Sequence, residues 1–364
     1  MTRQASIGVE SRASIDDLAE RTLALCAIQS PLGDESEIAG HVARETGGER
    51  IANAVVCGNV TGGRPAVILA GHLDTVPLQD GDFPARRSGG RIFGRGASDM
   101  KGALAVMIEL WRRMDRALLP VDLVLVFYDR EEGPIAQNGL LPLIAARPDL
   151  RRASLALCLE PTDLSLQLGC CGSMHATLTF EGRSAHSARP WQGENAVTKA
   201  GALLAWLHEQ KPREVKIAAA PGELVFREVL TATRIAGFTG RNVVPAKCEL
   251  NVNFRFAPGR SLESAEAELV ALADRFGARC EVTDRAPSGP AIVDHPLLRG
   301  FEAVPREAKQ AWTDVAQLAA QGIPAANFGP GEQAQAHQKG ESCSEAALLQ
   351  AYQMLERFLS QAAV

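Results

Sequence analysis

Three short apolar runs stand out in the first half of the chain. They are Ala66–Ala70, Val121–Phe127 and Ser154–Leu159, and each is almost free of polar residues. Runs of this length are typical of strands that are buried on both faces, as in a sheet covered by helices. We therefore predict three strands of one covered sheet.

Two amphipathic stretches lie around these runs. Ser14 and Asp17 resemble a capping box at the start of an apolar-periodic segment, which predicts a helix over residues 14–28. Residues 100–114 also carry apolar side chains at helical spacing, so a second helix separates the first two strands. Strands that alternate with helices indicate an α/β body.

The pattern changes after about residue 174. It predicts a strand, a helix, two strands, a helix and a final strand, over residues 174–180, 196–209, 226–235, 247–256, 261–276 and 278–282. This β-α-β-β-α-β order is the split βαβ arrangement of a small α+β, ferredoxin-like sandwich. Residues 312–318, 325–328 and 343–362 again read as α/β body.

The chain has 364 residues, which favours two domains over one. We predict a discontinuous domain of residues 1–174 and 286–364, interrupted by an inserted domain of residues 175–285.

Composition narrows the functional classes. Hydrophobic residues make up 46% of the chain and the net charge is -5, with the basic residues spread out, so neither disorder nor nucleic-acid binding is expected. The apolar runs are far shorter than the roughly 20 residues of a membrane span. Residues 1–14 contain no apolar signal segment, which favours a cytoplasmic location. The eight cysteines form no CxxC pair and are expected to be reduced thiols.

Acidic and imidazole side chains follow each of the three predicted strands. His72 and Asp74 follow the first, Glu131 and Glu132 the second, and Glu160 the third. The carboxyl ends of strands in open α/β sheets are where ligands bind, so these side chains should share one rim. A Gly-rich turn at residues 94–102 presents Asp99 immediately before the predicted helix.

Each of these residues has an ordinary alternative reading. A lone His-x-Asp is usually a surface pair, a Glu-Glu dipeptide is usually solvated, and Asp99 alone would most often be a helix N-cap. Several carboxylates at one rim would repel one another, however, and a divalent cation is the simplest partner that makes the cluster favourable. Imidazole and carboxylate donors without thiolate suit zinc, or cobalt or manganese in substitution.

The residues of these segments resemble the sequence motifs of a known family. The matching motifs are Gly-His-Leu-Asp-Thr-Val-Pro (71–77), Gly-Arg-Gly-Ala-Ser-Asp-Met-Lys-Gly (94–102), Asp-Arg-Glu-Glu-Gly (129–133), Glu-Pro-Thr (160–162) and the late His337. In this order they resemble the metallopeptidase family of succinyl-diaminopimelate desuccinylases, acetylornithine deacetylases and aminoacylases. The resemblance covers nearly the whole chain, and it implies a zinc-exopeptidase-like body with an inserted lid and dimerisation domain.

The resemblance also implies roles for the rim residues. It places His72 and Glu160 on one zinc ion, Glu132 and His337 on a second, and Asp99 between them as a bridge. Asp74 would orient His72 through its second ring nitrogen. Glu131 would be the general base, and two Zn²⁺ per subunit, replaceable by Co²⁺, would be the cofactors.

In the inserted domain, the resemblance implies that His186 stabilises an oxyanion, often in the active site of the neighbouring subunit. A homodimer built through this domain follows. Asn242 and Arg255 match positions that hold a substrate carboxylate, and the segments around Ser173, Thr313 and Gly331 read like substrate-binding segments of desuccinylases. One departure is the pair Cys170-Cys171, where many desuccinylases have arginine.

The resemblance implies hydrolysis of N-succinyl-LL-2,6-diaminopimelate to succinate and LL-2,6-diaminopimelate, a step toward lysine. An acetylornithine deacetylase, another N-acylamino-acid amidohydrolase or a dipeptidase would use the same metal cage, so these alternatives stay open. A metal-binding relative without catalysis is disfavoured, because Glu131 and all five ligand candidates are present.

Overall fold

A computed structural model describes residues 12–80, 82, 84–220, 222–237 and 240–362. Of the segment 1–14 considered above, only residues 12–14 lie within these ranges. The chain forms two compact units. The first unit contains residues 1–168, 292–307 and 313–364, and the second contains residues 169–291 and 308–312.

The described residues form eight α-helices. They are α1 (Ile15–Ala27), α2 (Ser36–Thr46), α3 (Gly102–Arg113), α4 (Leu140–Ala146), α5 (Ala196–Glu209), α6 (Leu262–Arg275), α7 (Val315–Ala320) and α8 (Glu345–Gln361). A π-helical turn, Ala97–Lys101, leads directly into α3. Helix α1 begins with the predicted capping box, in which the Ser14 hydroxyl accepts from the Asp17 N–H and the Asp17 carboxylate accepts from the Ser14 N–H.

Eighteen strands were found in the same residues. They are β1 (Glu49–Ile51), β2 (Ala54–Cys57), β3 (Ala66–His72), β4 (Arg86–Ser88), β5 (Arg91–Phe93), β6 (Asp122–Tyr128), β7 (Leu155–Cys158), β8 (Leu166–Leu168), β9 (Gly172–Glu181), β10 (Ala185–His186), β11 (Arg213–Ala219), β12 (Gly222–Ala236), β13 (Val243–Val244), β14 (Lys247–Phe256), β15 (Arg279–Ala286), β16 (Arg306–Ala308), β17 (Ala325–Asn327) and β18 (Ser342–Ser344).

The first unit is built on an eight-stranded mixed sheet, which confirms the predicted α/β class. Its strand order is β1-β2-β6-β3-β7-β17-β8-β16. The four central strands, β6, β3, β7 and β17, run parallel, and β2 and β8 join them antiparallel. Strands β3, β6 and β7 are buried along their whole length, as their continuous apolar runs predict.

The register of the parallel strands decides where the candidate ligands lie. His72, the last residue of β3, pairs with Tyr128, the last residue of β6. On the other side of β3, Ala70 pairs with Cys158, the last residue of β7. The residues that follow these strands therefore leave the sheet at the same edge.

The second unit contains a five-stranded antiparallel sheet in the order β11-β12-β14-β9-β15. One face of β9 and β14 packs against α5 and α6 in a core that includes Leu178, Phe180, Leu250 and Phe254. All six predicted elements of this region are present in the predicted order. Strand β11 was not predicted; it is an edge strand with mostly exposed or half-buried side chains that forms a hairpin with β12.

No helix within the described ranges is both long enough and apolar enough to cross a lipid bilayer.

Candidate metal centre

Five side chains of the first unit converge at the sheet edge where β3, β6 and β7 end. The Nε2 atom of His72 lies 3.1 Å from Oδ1 of Asp99. The Nε2 atom of His337 lies 3.0 Å from Oε1 of Glu132 and 3.5 Å from Oδ2 of Asp99. Glu160, buried after β7, brings its carboxylate to the same cluster.

These side chains form two overlapping groups whose ligand atoms lie within 4.8 Å of one another. The first triad is His72, Asp99 and Glu160, and the second triad is Asp99, Glu132 and His337. The two triads share Asp99, whose two carboxylate oxygens face different histidines. Two nitrogen donors and three carboxylates fit zinc chemistry, and a shared carboxylate fits a pair of cations.

Asp99 reaches the cluster from a distorted turn. It lies in the π-helical turn before α3, where Asp99 and Met100 have non-helical backbone angles and the peptide bond between them is cis. The side chain of Asp99 is only 11% exposed, whereas that of His337 is 52% exposed. The first triad is thus the more enclosed of the two.

Asp74 differs from its expected role in one respect. Its carboxylate accepts the backbone N–H groups of Glu131, at 3.1 Å, and Glu132, at 2.9 Å. The Nδ1 atom of His72 is 3.0 Å from the Asp74 backbone oxygen and 3.7 Å from its carboxylate. Asp74 therefore anchors the Glu131-Glu132 backbone with its carboxylate, and contacts the second ring nitrogen of His72 more closely with its backbone oxygen.

The electrostatics of the protein without metal ions reflect this crowding. Hydrogen bonds to Asp99 and Glu132 raise the pKa of His337 to about 10. Burial opposes the charging of His72, but the hydrogen bond with Asp99 and the nearby Asp74 carboxylate outweigh it and raise its pKa. Burial and the neighbouring Glu160 carboxylate raise the pKa of Glu131. The cluster therefore holds protons that a cation would displace.

Three predicted substrate residues lie in the second unit, two of them on the paired strands β9 and β14 and the third beside the pair β10 and β13. Ser173 pairs in register with Arg255 across β9 and β14, and Asn253 links them by donating to the Ser173 hydroxyl and accepting from Arg255. Asn242 lies next to His186, because strands β10 and β13 pair and the Asn242 carbonyl accepts the Ser187 N–H.

The other predicted substrate residues, Thr313 and Gly331, lie in the first unit, and Thr313 is fully buried. Gly331 follows β17 and packs closely against Ser98 and Pro161, which neighbour Asp99 and Glu160. The cysteine pair 170–171 is buried, and burial raises the pKa of the Cys171 thiol to about 12. A buried thiol with a raised pKa stays protonated and uncharged, so it cannot supply the positive charge that an arginine would offer to a substrate carboxylate.

A buried polar group beside the cluster was not predicted from the sequence. Asp314 is fully buried, accepts two hydrogen bonds from the Asn138 side chain and one from Gln317, and has a pKa raised by burial. Asp314 directly follows Thr313 in the chain, but no pattern in the sequence pointed to Asn138.

The chain is similar to known proteins in both sequence and fold. The family model described as peptidase family M20/M25/M40 matches residues 68–361. A putative succinyl-diaminopimelate desuccinylase of Mycobacterium tuberculosis is 38% identical over 94% of this chain and 98% of its own length. The succinyl-diaminopimelate desuccinylase of Corynebacterium glutamicum is 35% identical over 93% of this chain and 95% of its length. An acetylornithine deacetylase of Vibrio atlanticus is 28% identical over 78% of the chain and 77% of its length.

Solved structures show the same fold at much lower identity. An M20 family metallo-carboxypeptidase from Sulfolobus solfataricus superposes with a TM-score of 0.74 at 16% identity, covering 94% of this chain and 98% of that one. A dinuclear metal-binding peptidase of the M20 family from Bacillus subtilis gives a TM-score of 0.63 at 16% identity, covering 96% and 99%.

Proposed function

Because the chain belongs to peptidase family M20/M25/M40 and is a hydrolase of that family, we propose that it is a two-zinc succinyl-diaminopimelate desuccinylase. The reaction would hydrolyse N-succinyl-LL-2,6-diaminopimelate to succinate and LL-2,6-diaminopimelate. The observation that carries the metal-dependent chemistry is the convergence of two His–carboxylate triads on one shared aspartate. The substrate rests on the two desuccinylases that match almost end to end.

The two triads would hold the cations. His72 and Glu160 belong to one site, Glu132 and His337 to the other, and Asp99 to both. When bound, the cations supply Lewis acidity, which acidifies water and polarises an amide carbonyl. Asp74 anchors the backbone of Glu131 and Glu132, which would hold the metal ligand Glu132 and the base Glu131 in a fixed relative orientation.

Glu131 is the proposed general base. Its carboxylate belongs to a group with His72 and Glu132, so it lies at the cluster without belonging to either triad. There it would take the proton of the attacking water and deliver it to the departing amine nitrogen. His186 would donate a hydrogen bond to the oxyanion that forms on the carbonyl oxygen.

Substrate recognition would use the guanidinium of Arg255. The Asn253 side chain accepts from Nε of Arg255 and is itself held by donating to the Ser173 hydroxyl, which lowers the entropy lost when a carboxylate binds to Arg255. Asn242 would contribute a further hydrogen bond. Thr313 and Gly331 are proposed as substrate contacts of the first unit.

A homodimer through the second unit is part of the proposal. This unit exposes large apolar side chains, among them Trp191 at 75% and Ile235 at 55%. Apolar surface of this kind is commonly covered in an assembly. A dimer would also allow His186 of each subunit to serve the metal centre of its partner.

The test is a side-by-side assay of the zinc-loaded protein with N-succinyl-LL-2,6-diaminopimelate and acetylornithine, combined with metal counting per chain. We expect release of succinate, little release of acetate, and two metal ions per chain. Preferential deacetylation of acetylornithine would replace the proposed substrate and leave the metal centre intact. A protein that binds no divalent metal would refute the metal centre itself.

A further inference from the structure

A buried glutamate outside the two triads makes four hydrogen bonds near the metal centre. The side chain of Glu341 accepts from Nη1 of Arg95 and from the backbone N–H of Gly96, each at 3.0 Å. Its other oxygen accepts the backbone N–H groups of Ser98 and Asp99, each at 2.9 Å. Three of these four donors are backbone N–H groups of the loop that presents the shared aspartate.

This loop needs an acceptor from elsewhere in the chain. The first N–H groups of a helical turn have no partner within the helix. Here the turn is also distorted, with φ -127° and ψ 89° at Asp99. A buried N–H group without an acceptor is strongly destabilising, so the Glu341 carboxylate stabilises this backbone conformation substantially.

The charge of Glu341 is compensated locally. Arg95 is 3% exposed and bridges two carboxylates, Glu341 at 3.0 Å and Asp82 at 2.7 Å. Asp82 in turn accepts the backbone N–H of Gln79. With this set of partners the Glu341 carboxylate has its hydrogen bonds satisfied without a metal ion of its own, which separates Glu341 from the ligand candidates.

A second set of contacts joins the same two segments. The Ser98 hydroxyl donates to the Glu332 carbonyl at 3.0 Å and accepts the Glu332 N–H at 2.7 Å. Glu332 and Glu341 lie on either side of His337 along the chain. The segment that carries His337 is thus fastened at both ends to the loop that carries Asp99. His337 itself has a φ of 62°, a left-handed conformation that is unfavourable for a non-glycine residue and needs such support.

We propose that Glu341 is a positioning residue that sets the distance between Asp99 and His337 before any cation binds. This inference rests on the proposed metal centre. In the Glu341→Gln variant one acceptor oxygen becomes an amide NH₂ group, which cannot accept a hydrogen bond. Either the Gly96 and Arg95 pair or the Ser98 and Asp99 pair of donors then loses its acceptor.

The experiment titrates the metal-free protein with Co²⁺, following the visible absorption of the bound ion and the heat of binding. Loss of a residue that orients metal ligands typically weakens metal affinity by about 10–100-fold, and we expect a loss of this size for Glu341→Gln. At saturating Co²⁺ the variant should have a lower kcat and an unchanged KM, because the substrate residues are not altered.

The matched control is Glu345→Gln. Glu345 is also buried, at 5% exposure, and its carboxylate accepts two hydrogen bonds from Arg87, but it makes no hydrogen bond to the loop of Asp99. This variant should lower the unfolding temperature of the metal-free protein without changing its Co²⁺ affinity.

Each outcome decides the matter. Wild-type affinity for Co²⁺ in Glu341→Gln, with or without a lower unfolding temperature, overturns the positioning role. If the wild-type protein itself binds no Co²⁺, the proposed metal centre fails and this inference fails with it. If Glu341→Gln does not fold, Glu341→Asp decides, because the shorter side chain keeps the carboxylate but draws it back from its four donors: weaker Co²⁺ binding supports the inference, and unchanged binding overturns it.

Discussion

Gly331→Ala should disturb the metal centre although Gly331 is not a ligand. A Cβ atom at this position would lie 2.8 Å from Cβ and 3.0 Å from Cα of Pro161, and closer still to the Ser98 carbonyl oxygen. Carbon atoms in good contact are about 3.5–4.0 Å apart, so the neighbours must move by about 1 Å. The obstacles include backbone atoms, which cannot swing aside as the end of a long side chain can.

The size of the effect follows from what these neighbours carry. Ser98 precedes Asp99, and Pro161 follows Glu160. Overpacking of this kind costs about 1–3 kcal/mol of stability. A misplacement of about 1 Å near reacting groups lowers activity by roughly 100-fold. We therefore expect a lower unfolding temperature, weaker Co²⁺ binding and a roughly 100-fold lower kcat/KM.

Gly201→Ala is the matched control for this substitution. Gly201 lies within α5, and a Cβ there would meet nothing within 4 Å. Replacing a helical glycine with alanine removes backbone entropy from the unfolded chain and should raise stability by about 0.5–1 kcal/mol. Unfolding temperature, calorimetric Co²⁺ titration and steady-state kinetics are measured on both variants. A Gly331→Ala variant that changes only KM would refute the packing argument and leave Gly331 as a simple substrate contact.

Four further predictions concern the proposed chemistry. Glu131→Gln should retain both metal ions and lower kcat by about 100- to 10,000-fold, and near-normal turnover would contradict the role of Glu131. Because bound metal requires neutral imidazoles, Co²⁺ binding should release protons from His72 and His337. Calorimetry in buffers of different ionisation enthalpy detects this release. Heats of binding that do not depend on the buffer would contradict the prediction. In the metal-free protein the raised pKa of His337 stabilises the folded state. This stabilisation is at its full value below the unfolded-state pKa of about 6.5 and is lost as the pH rises through about 10. The unfolding temperature should therefore fall between these two pH values. If His186 acts in the partner's active site, mixing Glu131→Gln and His186→Ala subunits should restore about a quarter of wild-type activity. Half of the random dimers would be mixed, and each mixed dimer would contain one complete site out of two. No recovery, in subunits shown to exchange, would place His186 in its own subunit's site.

The main elements of the fold were predictable because burial leaves a strong pattern. Strands β3, β6 and β7 are buried on both faces, so their sequences are continuous apolar runs, and the capping box of α1 is a local signal. Strands β1 and β11 were not predicted. Both are edge strands with many exposed polar side chains, and their pairing depends on a neighbour rather than on their own residues.

The candidate site was predictable to the extent that its residues follow buried strands. His72, Glu132 and Glu160 were expected at one edge for that reason, and parallel pairing places them there. The contacts that hold them could not be predicted, since they join distant segments. The hydrogen bond between Asp99 and Glu341 spans 242 residues, and that between Asn138 and Asp314 spans 176. Neither pair shares a periodic pattern that a single sequence could display.

The division of the cluster into two triads has a consequence for the order in which the centre is assembled during translation. His72, Asp99 and Glu160 all precede the second unit in the chain, so the ribosome delivers every member of the first triad early. His337, which completes the second triad, emerges 205 residues after its partner Glu132. The residues of one candidate cation site are therefore all synthesised before the inserted unit, whereas the last ligand of the second site, and Glu341, which holds the Asp99 loop, are added only when the protein is almost finished.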